Sequence, residues 1–447
     1  MLQALTLSRA VIVNSLTLLR RCSLLVIMAL GVAFAPRVTG AMPPVTSLQL
    51  GYSSAGRPIN GVRIGSGPHT LWLIGNTHGG PEANTYELVR QLADHFAAHP
   101  DEVPSAVSLF IVPTVNPDGL ALGVRQNALG VDLNRNFDTS ADPCPDNDWR
   151  QVVQGAYGIE SPTGGPYADS ETETRLVRDL LMAAEGAILF HSNAGVVFPA
   201  CDHLPSVEMA RVFATGAAYT FIPRWDRYTI TGGMHDWAGG MGIAAITPEL
   251  VSGDLPEFPQ NLAGVRAVLG SYRELLFAPP KREVAGIPIE PVVWRSWRSW
   301  GGEALFGPPL APPVRTTDGW TQLFRNARFE YRPALNGSAQ VVQLARLGAD
   351  EQRAPDSVAN SPSRPEPPTP ASPFATYWQV NGALPVFGLA LSAWFTTTLP
   401  SGATVVEQPF ERAILRATDG VVAPLPLGRR VWAREDALNP LVAVRAR

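Results

Sequence analysis

The stretch Leu71–Glu82, LWLIGNTHGGPE, decides how the chain is read. Leu71–Ile74 is a short apolar run of strand length. It breaks at Gly75-Asn76, passes His78 and two glycines, and reaches Glu82 just after Pro81. Proline is favoured at the first position of a helix. The following TYELVRQLADHF carries apolar residues at helical spacing. An imidazole and a carboxylate therefore sit at a strand-to-helix turn, where an open α/β sheet presents its ligand site. Alone, the stretch fits a metal-binding turn and a plain Gly-rich turn equally well. The rest of the chain has to decide.

Residues 45–277 repeat the same alternation. Strand-length apolar runs fall at Gly61–Ile64, Leu71–Ile74, Val107–Val112, Ala187–Phe190 and Ile243–Ile246. Helical patterns fall at Tyr86–Ala98, Glu171–Ala184, Val207–Ala217 and Asn261–Phe277. This predicts an α/β fold: a mixed, mostly parallel twisted sheet with helices on both faces. A linker is expected over 278–291. Beyond it the composition changes, with seven of the 11 tryptophans after residue 290. Two β-rich modules are expected, 292–350 and 376–447, joined by a Pro/Ser-rich linker over 351–375. They read as a degenerate repeat. Trp300, Ala304–Gly307, Gln322–Phe324, Ala327 and Leu347-Gly348 pair with Trp378, Pro385–Gly388, Gln408–Phe410, Ala413 and Leu427-Gly428. Such modules serve as spacers or hold a protein on an envelope polymer, and the sequence leaves both open.

Residues 1–41 read as a secretory signal: Arg20-Arg21, the uncharged run Leu24–Ala35, then small residues at Gly40-Ala41. An uncleaved N-terminal anchor is the alternative. The run is short for a membrane span, and no other segment is expected to cross a membrane once the signal is removed. The expected location is secreted or cell-envelope associated. Few residues separate the signal from the first strand, so synthesis in active form is expected. A net charge of −4, with Lys281 the only lysine, argues against a nucleic-acid surface. Cys22 lies in the signal, which leaves Cys144 and Cys201. In an exported protein the pair favours a disulfide, with free thiols as the alternative.

Two further side chains match the opening stretch. His191 ends the apolar run Ala187–Phe190, and Glu249 ends another just after Pro248. Two histidines and a glutamate with a fourth position open make a catalytic zinc set, and a carboxylate beside it is a natural base for water. The neighbours Asn134 and Arg135, in Gly130–Phe137, can grip a carboxylate, because guanidinium binds it as a planar fork.

In this order the pieces resemble the M14 zinc carboxypeptidases of the carboxypeptidase A type. They are His78 and Glu82, Asn116–Gly119, Arg125, Asp132–Phe137, His191-Ser192, Tyr228 before Gly232-Gly233, and Glu249. Ser170–Thr174 also looks like the family's helix start before the third ligand strand. The resemblance implies one Zn2+ per chain held by His78, Glu82 and His191, with Glu249 as general base. It implies Arg125 at the oxyanion, Asn134 and Arg135 on the substrate's terminal carboxylate, and Tyr228 closing over the substrate. It places His235 where the family reads the leaving side chain; a histidine there leans towards a polar or acidic one, although it could simply pack against Trp237. The family usually spaces its first two ligands His-x-x-Glu, whereas here the spacing is His78-x-x-x-Glu82. The expected activity is removal of C-terminal residues from a peptide with a free terminal carboxylate. The alternatives are a cell-wall peptide amidase, a small-molecule deacylase of the aspartoacylase type, and a non-catalytic envelope-binding protein. The presence of Glu249, which binding alone does not need, weighs against the last.

Overall fold

The apolar runs become the centre of a nine-stranded sheet. Its strands are β1 (Val45–Tyr52), β2 (Pro58–Ile64), β3 (His69–Ile74), β4 (Val107–Val112), β7 (Gly186–Leu189), β8 (His191–Ser192), β9 (Val196–Pro199), β10 (Thr220–Phe221) and β11 (Ala244–Leu250). A separate short hairpin joins β5 (Val153–Gln154) and β6 (Glu160–Ser161). The order is β1-β2-β4-β3-β7-β11-β9-β10, with β8 also paired to β11. The β4-β3-β7-β11 centre is parallel, while β1, β2 and β9 join antiparallel to their inner neighbours, so the sheet is mixed. The structure, a computed structural model, describes residues 42–155, 159–351 and 365–438. The expected signal and most of the expected Pro/Ser-rich linker lie outside these residues.

Both faces of the central strands are covered, which is why β4 is apolar at every position but Ser108. Leu71 and Leu73 point to one face and Trp72 and Ile74 to the other. The first face holds α1 (Ala83–Ala98), α4 (Leu204–Ala217) and α6 (Phe258–Gly270), with α7 (Tyr272–Leu275) following. The second holds α3 (Thr172–Leu180) and α5 (Met234–Gly240), and α2 (Pro117–Leu122) lies above the strand ends. Every expected strand and helix region contains its element. The pattern gave no warning of β1, β9, β10 or α5. Met234–Gly240 is a short MHDWAGG helix with two glycines, and neither period shows in so few residues. Asn261–Phe277 breaks into two helices at Ser271.

The stretch 278–291 carries a hairpin, β12 (Arg282–Val284) and β13 (Ile287–Ile289). Two units of the same plan follow. The first is α8 (Pro291–Ser299), α9 (Gly302–Phe306), β14 (Val314–Arg315), β15 (Trp320–Leu323), β16 (Arg328–Tyr331), β17 (Val342–Leu344) and α10 (Leu347–Glu351). The second is α11 (Ala375–Val380), α12 (Ala383–Phe387), β18 (Phe395–Thr398), β19 (Thr404–Pro409), β20 (Ile414–Thr418), β21 (Val421–Pro424) and α13 (Leu427–Leu438). Trp297 Nε1 donates to Gly307 O at 3.1 Å, and Trp378 Nε1 donates to Gly388 O at 2.9 Å. The repeat therefore aligns Trp297, not Trp300, with Trp378; the sequence pairing was off by one helical turn. Trp300 instead donates to Asp179 Oδ1 at 3.0 Å, in α3.

The two units exchange their ends. Ala349 N donates to Glu411 O, and Arg429 N donates to Arg325 O, each at 3.0 Å. A Cβ on Gly348 or on Gly428 would lie 1.9 Å from the carbonyl of Phe410 or Phe324 in the other unit. This close approach explains why Leu-Gly closes both copies. The first unit is continuous with the sheet's second face through one core that includes Met182, Met241, Val293, Trp297 and Phe329. Arg295 of α8 is fully buried there. It donates to four backbone carbonyls: Met182 (2.9 Å), Ala184 (2.7 Å), Met241 (2.8 Å) and Gly242 (3.1 Å). Those carbonyls immediately precede β7 and β11. Among the described residues, no helix is long and apolar enough to cross a membrane.

Candidate active site

The turn that opened the sequence analysis runs from β3 into a 3-10 turn, Gly80–Glu82, and then α1. Asn76 organises it by donating Nδ2 to Gly79 O (2.7 Å) and Glu82 O (3.1 Å). The glycines are required by contact. A Cβ on Gly79 would lie 2.0 Å from Val124 O, and one on Gly80 would lie 2.3 Å from Gly123 C. The turn thus lies directly on the end of α2. Asn116 caps α2 by accepting from Gly119 N at 2.8 Å, and donates to Thr77 O (3.0 Å) and Arg125 O (3.2 Å). One amide therefore spaces the backbones that carry His78 and Arg125.

His78, Glu82 and His191 converge at the carboxyl ends of the parallel strands, all nearly fully buried. Glu82 Oε1 lies 2.6 Å from His78 Nδ1, and Oε2 lies 3.0 Å from His191 Nδ1. The two Nδ1 atoms are 3.1 Å apart. The extra residue in His78-x-x-x-Glu82 is taken up by the Gly79-Gly80 contact, and Glu82 still reaches both imidazoles. On the far side His78 Nε2 meets Asp132 Oδ1 at 3.1 Å and Arg125 Nη2 at 2.8 Å. A carboxylate on the outer ring nitrogen is the usual support of a metal-bound imidazole. The donor set fits zinc: two imidazole nitrogens and a carboxylate oxygen within 4.8 Å of one another, in a buried site. Asp132 belongs to the quoted DLNRNF stretch, but the sequence reading assigned it no role.

The electrostatics follow from burial and these partners. Burial alone would raise the Glu82 pKa, but His78 and His191 pull it well below the usual carboxylate range. Burial opposes charge on His191, yet Glu82 leaves its pKa raised. Asp132 is likewise held far down, against burial, by Arg125 and His78. Glu249 stands beside His191 in the β11–β8 register. Burial, with Glu82 adding to it and His191, Arg125 and Arg227 opposing, pushes its carboxyl up to about 7. Its side chain still meets the cleft, because the residue is partly exposed.

The cavity, about 310 Å³, is also lined by Arg125, Asn134, Arg135, Ser192, Asn193, Phe198, Trp225, Arg227, Tyr228 and Ile230. Arg125 donates Nε to Asp132 Oδ2 at 2.8 Å. Asn134 Oδ1 accepts from Met234 N at 2.9 Å, which ties it to the start of α5. Arg135 is 1% exposed; it donates to the backbone carbonyls of Asn134 (2.9 Å) and Gln154 (3.4 Å) and also engages the Tyr228 hydroxyl, and among the described residues its Nε has no partner. A buried guanidinium without a carboxylate is costly and fits an anion-binding role. Tyr228 lies under it, with ring centre and guanidinium carbon 5.7 Å apart.

His235 is the one expected site residue outside this cavity. It lines an adjoining one of about 220 Å³ that shares Phe198, Trp225, Tyr228 and Ile230 with the first. It packs edge-on against Phe198 at 5.2 Å, while Trp237 pairs with Phe137 at 5.6 Å. Burial lowers its pKa. Cys144 and Cys201 are disulfide-bonded beside this second cavity. Asn193, Phe198, Trp225, Arg227 and Ile230 were not expected at the site, since nothing in their local sequence marks a cleft wall, and Ser192 was quoted with His191 without a role.

A mixed sheet with a buried His-Glu-His cluster at its strand ends defines a zinc-peptidase type of architecture, and comparison with known proteins names the class. The family model for zinc carboxypeptidases (peptidase family M14) matches residues 32–260 of the 447, and the chain belongs to that family of peptide hydrolases. Carboxypeptidase B of Astacus astacus is 26% identical over 236 residues, which are 44% of this chain and 70% of that protein. Murein peptide amidase A of Escherichia coli K12 is 36% identical over 102 residues, 22% of this chain and 38% of that protein. Among solved structures, bovine thrombin-activatable fibrinolysis inhibitor aligns over 52% of this chain and 90% of its own, at 20% identity and a TM-score of 0.43. Murein-tripeptide amidase from Escherichia coli O157 aligns over 52% and 93%, at 24% identity and a TM-score of 0.37.

Proposed function

We propose that the chain is an exported, zinc-dependent carboxypeptidase. The observation that carries this is the meeting in one cavity of the His78–Glu82–His191 cluster, Glu249, and a buried Arg135 to which, among the described residues, no carboxylate is hydrogen-bonded. His78, Glu82 and His191 hold one zinc ion. When bound, zinc acts as a Lewis acid on the scissile carbonyl and makes a water acidic enough to attack near neutral pH. Arg135 and the side-chain amide of Asn134 bind the substrate's terminal carboxylate, and Tyr228 packs over it. Glu249 accepts the attacking water's proton and passes it to the leaving amine. Arg125, kept cationic by Asp132 and Glu82, faces the oxyanion as charge develops there. Asp132 holds His78 through its outer nitrogen. His235 and its neighbours line the space for the leaving side chain.

Export is supported by the signal-like residues 1–41 and by the disulfide, which persists in oxidising compartments. A cell-wall peptide amidase is the second reading, favoured by the local 36% identity to murein peptide amidase A. The repeats then hold the enzyme near envelope polymer. The test is a panel of C-terminally varied peptides and cell-wall peptides, assayed with zinc content and with chelator. The expected result is about one zinc per chain and chelator-sensitive release of C-terminal residues. Full activity in metal-free protein would end the proposal, and cleavage confined to cell-wall peptides would select the second reading.

A further inference from the structure

The loop Arg224–Tyr228 carries two arginines in different situations. Arg224 is ion-paired with Asp146 at the adjoining cavity. Arg227 lines the catalytic cavity with Glu249 and Tyr228. Among the described residues no hydrogen bond or ion pair engages its exposed guanidinium. It is held by an aromatic face instead: its guanidinium carbon lies 5.0 Å over the Trp225 ring. Trp225 meets Tyr228 edge-on at 5.3 Å, and Tyr228 lies 5.7 Å from the Arg135 guanidinium. Phe198 closes the row at 5.4 Å from Trp225. One aromatic wall therefore carries a guanidinium at each end, two rings apart. Stacking on a ring leaves the N–H edges of a guanidinium free, and those edges match a carboxylate.

Arg135 accounts for one carboxylate, the substrate's terminus. Arg227 acts on Glu249 through space, favouring its ionised form, but among the described residues no hydrogen bond or ion pair joins the two. The N–H edges of Arg227 are therefore left for the substrate. We propose that Arg227 reads a second carboxylate, so that the cleft selects peptides that carry one beside the scissile bond in addition to the terminal carboxylate. This rests on the reading of the cavity as a peptidase site. The chemistry is that of a dicarboxylic residue at the bond. It is either a C-terminal glutamate or aspartate, or a glutamate joined through its side-chain carboxyl whose α-carboxylate stays free.

Two matched peptide pairs separate these sources: N-acyl dipeptides ending in Glu or Gln, and dipeptides with glutamyl linked through the side chain, its α-carboxyl free or amidated. For each pair the ratio of kcat/KM, acid over amide, is measured in the full-length protein, in Arg227→Gln and in Arg227→Lys. The wild type is expected to prefer the acid in one pair by about tenfold or more, the energy of one charge-assisted hydrogen bond. Arg227→Gln is expected to remove that preference and Arg227→Lys to restore part of it. A wild type without preference in either pair, or a ratio that Arg227→Gln changes less than threefold, overturns the proposal. Calorimetric binding of the same pairs to Glu249→Gln gives the ratio without turnover. A protein that cleaves none of the peptides thus refutes the peptidase reading, while the binding ratio still decides on Arg227.

Discussion

Glu249 and Glu82 are two glutamates that both act on His191, yet their surroundings push them in opposite directions. Glu82 lies between two imidazoles, which hold it ionised, as a metal ligand must be. Glu249 has burial against it and is pushed up to about 7, in the range of an efficient general base. A base must be ionised to accept a proton, so kcat/KM should fall as pH drops through the Glu249 pKa. A bound dication stabilises the carboxylate, so the acid limb of the zinc-loaded enzyme should lie below pH 7. Glu249→Gln should keep its zinc and lose turnover by roughly 10²- to 10⁴-fold; near wild-type turnover would remove Glu249 as the base. Glu82→Ala should lower zinc retention, read by metal analysis after dialysis against a weak chelator. Unchanged retention would mean that the longer His78–Glu82 spacing does not carry a ligand. At this scale most of the site was legible, because strand ends and DLNRNF mark their residues. Arg227 and Trp225 were not, because an exposed loop arginine looks the same in sequence whether it faces a cleft or solvent.

At the scale of elements, α8 is the hinge between the catalytic fold and the repeats. Its cap is Glu290, whose side chain accepts from Val293 N at 2.8 Å. Burial raises the Glu290 carboxyl to about 7, above its unfolded value near 4.5. A carboxyl raised in this way favours the folded state most below the unfolded pKa, and that contribution is lost as pH rises through about 7. Glu290→Gln keeps an acceptor for the cap without the charge. It should therefore gain up to about 3 kcal/mol over wild type at pH 8, with little difference near pH 4.5, in parallel denaturant titrations. Arg295, one turn further on, has four carbonyls as partners and no carboxylate, and burial lowers its pKa to about 9. Arg295→Met would leave those carbonyls buried and unpaired. A loss of about 3 kcal/mol in folding stability is expected, and an unchanged melting temperature would show that water replaces the guanidinium. The sequence pattern showed the tryptophans of α8 but paired the wrong one with Trp378. Only the indole hydrogen bonds separate residues one helical turn apart.

For the molecule as a whole, the repeats are built into the enzyme's hydrophobic core and into each other. Leu347-Gly348 docks on the second unit and Leu427-Gly428 on the first. Residues 42–277 expressed alone would expose the face that Val293 and Trp297 cover. That fragment should bind hydrophobic dye and fail to give a folded monomer; a folded, fully active monomer would show the repeats to be dispensable. The Cys144–Cys201 bond closes a loop with a sequence separation of 57. Its removal by Cys201→Ser should cost about 2–4 kcal/mol, read as a lower denaturation midpoint.

The sequence alone determined the alternation of buried strands and helices and singled out His78, His191 and Glu249 as the candidate site residues that meet in one cavity. Strand-length apolar runs that end in rare polar side chains depend only on local chain chemistry. It also pointed to the repeat, since Leu-Gly, Phe-Gly and Gln-x-Phe recur at matching positions in the two units. Tertiary structure decided what depends on distance. It brought Glu82 back to both imidazoles through the Gly79-Gly80 contact, and placed Asp132 behind His78. It set two guanidiniums on one aromatic wall, and used Arg295 to join the repeats to the roots of β7 and β11. Each of these contacts joins residues far apart in the chain or corrects a spacing by close packing. The reading of LWLIGNTHGGPE therefore changed in one respect: its extra residue lies against α2 and leaves the His-Glu-His cluster intact.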